Sequence, residues 1–220
     1  MIPASIFTAD EATFWPHLSW TEFAALPAKD SVVVVVPIVG MADWGLGAPL
    51  DLEELILSAV LRQASISRGV LPLLVTPPVR FVVGPRESCV FTLSSPAACA
   101  LIGEVVLSVK ASGFTRVVLL NSSPFNEALC DAVARDLRIA HAMQMFCVNM
   151  SALGLDLEPS RSPDRKALAA LCDALAKRSP TEAATAILDR TSGHLVALLD
   201  EIRRRPPLPE GGRITPASAP

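Results

Sequence analysis

Apolar positions along the chain alternate between two kinds of run. Ser31-Val-Val-Val-Val-Val-Pro-Ile-Val-Gly40 holds five consecutive valines. Such a run is insoluble with either face in water, so it predicts a central parallel strand covered by helices on both sides. A loop containing Gly40, Gly45 and Gly47 follows. From Asp51 to about Ser67 the apolar residues Leu52, Leu55, Ile56, Ala59 and Val60 recur at i, i+3, i+4, i+7 and i+8. That spacing predicts a helix packed on one side. Its acids Asp51, Glu53 and Glu54 fall in the first turn, where they complement the helix dipole.

The same alternation continues. Val70 to Val75 is a second predicted strand, ended by Pro77-Pro78, and short strands are predicted over Arg80–Val83 and Cys89–Leu93. Ser95-Pro96 marks a helix start, with Ser as N-cap and Pro at the first helical position. That helix presents Leu101, Ile102, Val105, Val106 and Val109 and ends near Gly113. Val117 to Leu120 is a further buried strand, followed by the loop Asn121–Asn126 and a helix to about Ala140. Met145 to Val148 is another strand. Ser162-Pro163 and Ser179-Pro180 repeat the helix-start signal, the second with Glu182 placed to complete a capping box. The last helix, about 180–204, carries Ile187, Leu188, Thr191, Leu195, Leu198 and Ile202. Trp15 and Trp20 lie in a short helical lead-in.

Strand–helix alternation with valine-rich strands predicts an α/β fold with a mostly parallel central sheet covered by helices on both faces. One domain is expected over 1–205, with a Pro/Gly-rich tail over 206–220 expected to be disordered. Ligand sites in such sheets lie beyond the carboxyl ends of the strands, which singles out the loops at 40–50 and 121–126.

Composition narrows the chemistry. The chain is 51% hydrophobic and 19% charged, with a net charge of −3, a mean hydropathy of +0.44 and a pI near 5.6. These values exclude a disordered chain and argue against a nucleic-acid partner. The N-terminus carries acids early and lacks the basic start of a secretory signal. Val32 to Val39 is far shorter than the ~20 residues of a membrane span, so a cytoplasmic protein with no membrane contact is expected. The five cysteines show no CxxC spacing and read as free, mostly buried thiols. Only three histidines and no tyrosine are present, so a metal site needing several imidazoles would consume nearly the whole supply.

The two loops carry a resemblance. Pro37-Ile-Val-Gly-Met-Ala-Asp-Trp-Gly-Leu-Gly-Ala-Pro-Leu-Asp-Leu-Glu53 and Gly113-Phe-Thr-Arg-Val-Val-Leu-Leu-Asn-Ser-Ser-Pro-Phe-Asn126 resemble the two motif frames of the creatininase (creatinine amidohydrolase) family. In that family they read like PVGSxEQHGPHLPLxTD and GFRRIVLVNGHGGN. The resemblance spans roughly 18–205 and implies a three-layer creatininase-like fold. It also implies a two-metal site that hydrolyses amide-type C–N bonds, and assembly into hexamers or other homo-oligomers.

The family's metal ligands transfer poorly. Its Glu falls on Asp43, and its first His falls on Gly45 or a deletion. Its Asp falls on Glu53, its second His on Ser123, and the following Gly-Gly on Pro124-Phe125. The distal acidic motif is not found; His141 is only a faint echo of it. Two divalent ions about 3.5–4 Å apart need several strong ligands around a bridging water, and serine is a weak substitute for imidazole. The expectation is therefore a degenerate site, with Asp43 and Glu53 as weak metal candidates and no cofactor. Zn or Mn is the alternative if Asp43, Glu53, Glu54 and a recruited His141 form a rearranged centre.

The vestigial cleft is expected to comprise Asp43, Trp44, Glu53, Asn121, Ser123 and Asn126. Asp43 and Glu53 read either as a residual binding pair or as a solvated loop acid and a first-turn acid. Trp44 reads as pocket lining or as packing. Ser122-Ser123 could be nucleophilic, although Ser123 fits better as the N-cap before Pro124. Arg80 and Arg86 read as anion-binding or surface residues, and His17 and His194 as surface or packing residues. A binding or partner subunit, homo-oligomeric or paired with another protein and open to a small-molecule ligand, is the expected function. A divergent amidohydrolase is the alternative.

Overall fold

The computed structural model describes residues 13–44, 49–69, 71–158, 161–162, 164–177, 179 and 181–206. A short helix α1 (Trp20–Ala24) leads into strand β1 (Val33–Val39) and the two-residue β2 (Met41–Ala42). Helix α2 (Leu52–Ser67) precedes β3 (Leu73–Val75), β4 (Val79–Arg80), β5 (Val82–Val83), β6 (Cys89–Val90) and β7 (Thr92–Leu93). Then come α3 (Ser95–Ala111), β8 (Arg116–Asn121), α4 (Glu127–His141), β9 (Gln144–Asn149), α5 (Arg165–Ala176) and α6 (Glu182–Arg204). The main sheet runs β3-β1-β8-β9, all parallel, with β4 extending the pairing along the end of β1. Two small ladders, β2 with β6 and β5 with β7, roof the carboxyl end of β1.

The valine run is explained by a core on each face. Val33, Val35 and Val39 pack with α2, α5 and α6 on one side. Val34, Val36 and Ile38 pack with Ile102 and Val106 of α3 and Cys130 and Val133 of α4 on the other. Every residue of β1 and β8 is buried, so period-2 alternation is absent from their polarity while it persists in their contacts. The expected α/β architecture, with helices on both faces of a parallel sheet, is the one observed.

Local boundaries differ in instructive ways. The N-cap of α3 is Ser94, not Ser95, and its hydroxyl accepts from the amide of Ala97. Asp164 caps α5 in place of Ser162, and Thr181 caps α6 in place of Ser179, leaving Glu182 as the first helical residue. In each case the cap is the residue whose side-chain oxygen accepts from the amide three positions on: Ala97 for Ser94, Ala167 for Asp164 and Ala184 for Thr181. Pro163, Pro180 and the tail over 207–220 lie outside the described residues. The buried face of α2 also turns further than its spacing implies: it takes in Leu57, Leu61, Glu53 and Glu54, while Leu55 is only half-buried. Leu101 of α3 is exposed. Among the described residues no helix is long and apolar enough to cross a membrane.

Candidate functional site

Parallel pairing places the carboxyl ends of β1 and β8 side by side, with Ile38 opposite Asn121. The amide of Ser122 donates to the carbonyl of Ile38 at 3.0 Å, which carries the contact one residue beyond the strand. Gly40 and Ser123 therefore emerge next to each other, and the first turn of α2 brings Glu53 between them.

Glu53 is fully buried. Its Oε2 accepts from the Gly40 amide at 2.6 Å and its Oε1 from the Trp44 indole Nε1 at 3.2 Å. Gly40 has to lack a side chain: a Cβ there would lie 2.6 Å from Glu53 Oε2 and 2.7 Å from Ser123 Oγ. Burial disfavours the carboxylate and pushes the Glu53 pKa up to about 7, against the opposing pull of the Gly40, Ser123 and Trp44 donors. Ser123 Oγ is buried beside this carboxylate, yet it makes no hydrogen bond of good geometry. Ser123 does stand at the N-cap position of the 3-10 turn Pro124–Asn126, but its hydroxyl does not cap it. Cys89 of β6 faces the same pocket; burial raises its thiol pKa, and the Glu53 charge adds to that.

Above Glu53 the Trp44 indole stacks on Phe125, with centroids 5.1 Å apart and planes 8° from parallel. The Arg86 guanidinium covers the outer face of Phe125 at 4.8 Å. Trp44 is thus both packing and a hydrogen-bond donor, and Arg86 stays at the surface, exposed, with its guanidinium over the Phe125 ring. Arg80 is likewise engaged. It forms a bidentate pair with Glu54, with both N···O distances 2.7 Å, and Glu54 is 4% exposed. Glu53 and Glu54 are therefore not solvated first-turn acids: one is buried against N–H donors and the other against a guanidinium.

The asparagines organise backbone. Asn121 Nδ2 donates to the Ser123 carbonyl at 2.8 Å and to Asn149 Oδ1 at 2.9 Å, while its Oδ1 accepts from the Ser123 amide at 3.1 Å. Asn126 accepts from the Val83 amide at 2.9 Å and donates to the Phe81 carbonyl at 2.7 Å, fastening the β4–β5 segment over α4. Trp44, Glu53, Asn121, Ser123 and Asn126 do meet around the ends of β1 and β8. Asp43 is exposed, with its amide on the Ser88 carbonyl at 2.9 Å. Gly45 lies outside the described residues.

His141 is held away from the site. It ends α4, which runs back from the carboxyl end of β8, and its carbonyl accepts from Lys110 at the end of α3. It therefore stands at the opposite, amino-terminal end of the strands. His194 is exposed on α6, and His17 is exposed with its ring edge-on to Phe14. The residues that sequence reasoning underrated are Gly40, Phe125 and Cys89. Gly40 had a signal in the strand-ending Val-Gly; Phe125 and Cys89 enter only through tertiary packing.

The donor set does not fit a dinuclear metal centre. Each oxygen of Glu53 already accepts from an N–H donor, which leaves it fewer lone pairs for a cation. Ser123 offers a neutral hydroxyl. Among the described residues no group of three or more His, Cys, Asp or Glu side chains converges to hold a metal ion.

The fold and site define an α/β/α protein with a buried polar cluster at the carboxyl ends of its two central strands. The family model for creatininase, creatinine amidohydrolase, matches residues 16–194, and the chain belongs to that family. Solved structures agree on the fold. A candidate creatinine amidohydrolase from Bacteroides fragilis NCTC 9343 matches with a TM-score of 0.63 at 14% identity, covering 90% of this chain and 98% of that one. A tryptophan-to-phenylalanine variant of creatininase matches with a TM-score of 0.67 at 15% identity, covering 87% and 99%. A manganese form of creatininase gives 0.63 at 16% identity, covering 88% and 100%. No curated protein sequence matches the chain.

Proposed function

We propose that this creatininase-family chain is a non-catalytic member, a cytoplasmic binding or partner subunit that assembles with itself or with another protein. The observation behind this reading is Glu53. At the position where the family resemblance puts an aspartate ligand, the carboxylate is enclosed by the Gly40 amide, the Trp44 indole and the Ser123 hydroxyl. Its oxygens accept from protein N–H donors, which compete with a metal for them, and the Trp44 indole that supplies one of these is itself stacked on Phe125. A site built this way holds shape, and its one central carboxyl is buried rather than open to substrate.

The second reading is a divergent Zn- or Mn-dependent hydrolase of a cyclic or linear amide. The elevated Glu53 pKa favours it, since a carboxyl poised near neutrality suits proton transfer. Turnover assays on small cyclic and linear amides, with Zn or Mn supplied, separate the two readings. Rates no higher than the protein-free, metal-containing background for both the wild-type chain and Glu53→Gln support the non-catalytic reading; metal-dependent turnover abolished by Glu53→Gln overturns it.

A further inference from the structure

Strand β9 is the outer strand of the main sheet, pairing only with β8 among the described residues. The Gln144 amide donates to the Thr115 carbonyl beside β8. By the alternation of a parallel ladder, the backbone groups of Gln144, Phe146 and Val148 face β8, while those of Met145, Cys147 and Asn149 face outward. The outer edge is framed by cations from both helical layers. Arg138 reaches round from α4, its Nε donating to the Met145 carbonyl at 3.0 Å and its guanidinium 5.7 Å from the Phe146 ring. Arg205 comes from the end of α6 and lies 5.6 Å from the same ring.

Two hollows flank Phe146. One of about 430 Å³ is lined by Arg138, Gln144, Phe146, Arg205 and Pro206. The other, about 380 Å³, is lined by Asp131, Ala134, Arg135, Arg138, Phe146 and Cys147. The first contains two guanidinium groups and no carboxylate. Arg205 also pairs with Glu201 at 2.8 Å, whereas Arg138 donates from Nε and one Nη to the Met145 carbonyl and has further N–H donors to offer.

We propose that this edge is a docking surface for an extended acidic peptide segment of a partner protein, with a carboxylate seated between Arg138 and Arg205 over the Phe146 ring. Three features carry it. The Cys147 main chain offers an outward amide and carbonyl for strand addition, which supplies affinity. The two hollows are spaced on either side of one strand residue, as alternate side chains of an added strand require. The charge is local: Arg135, Arg138 and Arg205 line the two hollows against one carboxylate, Asp131, so an acidic segment is attracted and a basic one repelled.

The test uses the full chain and two synthetic ten-residue peptides, one alternating Glu and Val and the other alternating Lys and Val. Calorimetry should show binding of the Glu peptide only, weakened by salt. Arg138→Gln combined with Arg205→Gln should weaken it by about tenfold or more, with amide NMR shifts centred on Phe146 and Cys147. Arg205→Gln alone, which leaves the Arg138–Met145 bond in place, should weaken it partially and guards against a folding artefact. Equal binding of both peptides, no loss in the double variant, or shifts centred elsewhere would overturn the proposal. A variant ending at Pro206 that binds the Glu peptide far more tightly than the full chain would also overturn it, since the chain's own tail would then be the occupant.

Discussion

The Gly40 amide and the Glu53 carboxylate meet at 2.6 Å, in a space that a methyl group on residue 40 would fill. The contact joins the end of β1 to the first turn of α2 and satisfies a fully buried acid. Gly40→Ala should therefore destabilise by about 2–4 kcal/mol, because the methyl must displace Glu53 or Ser123. Urea denaturation checks this. A change within about 0.5 kcal/mol of wild type would mean that the pocket yields freely.

Stability should depend on pH through Glu53. Its pKa is raised from the ordinary 4.5 to about 7 in the folded protein. Below about 4.5 both folded and unfolded states hold the proton. Between 4.5 and 7 the unfolded chain loses it first, so stability falls as pH rises, by on the order of 3 kcal/mol in total. Above 7 this contribution is flat. Comparing denaturation midpoints across pH 4.5–8 for wild type and Glu53→Gln isolates the effect; the variant should lack that part of the slope.

Arg80 and Glu54 offer a second test on the same helix. Arg80→Met leaves a nearly buried carboxylate without its bidentate partner. A loss of about 2 kcal/mol is expected, less than for a fully buried pair because Arg80 is partly solvated. Adding Glu54→Leu should recover much of it. A double variant that is no better than Arg80→Met would show that the pair is not coupled.

Phe125→Ala should remove the lid over Trp44. Losing the stacked ring is expected to cost about 2–3 kcal/mol, and it exposes the indole, shifting Trp fluorescence to the red. An unchanged spectrum would mean that Trp44 is held by Glu53 alone.

Much of the fold was legible because single elements announced themselves. The valine run of β1 has no other soluble home, and Leu52, Ile56 and Val60 mark the inner face of α2. The site was legible only as a location. Asn121 and Ser123 sit where the strand ends must bring them, but the burial of Glu53 reads in sequence like any first-turn acid. Its neighbours come from two other segments, Gly40 and Trp44 after β1 and Ser123 after β8. The Arg80–Glu54 pair spans 26 residues, and no local pattern encodes it. Helix starts slipped for a related reason: Ser-Pro pairs signal a start nearby, while the cap itself is decided by which side-chain oxygen reaches the third amide.

The central claim is that the Glu53 carboxyl is held by protein donors and binds no metal. The most direct measurement is the metal content of the full chain, and of Glu53→Gln, after equilibration with Zn or Mn and removal of free ions. The account predicts well under one ion per chain for both proteins. One or two tightly held ions in wild type, lost in Glu53→Gln, would contradict it.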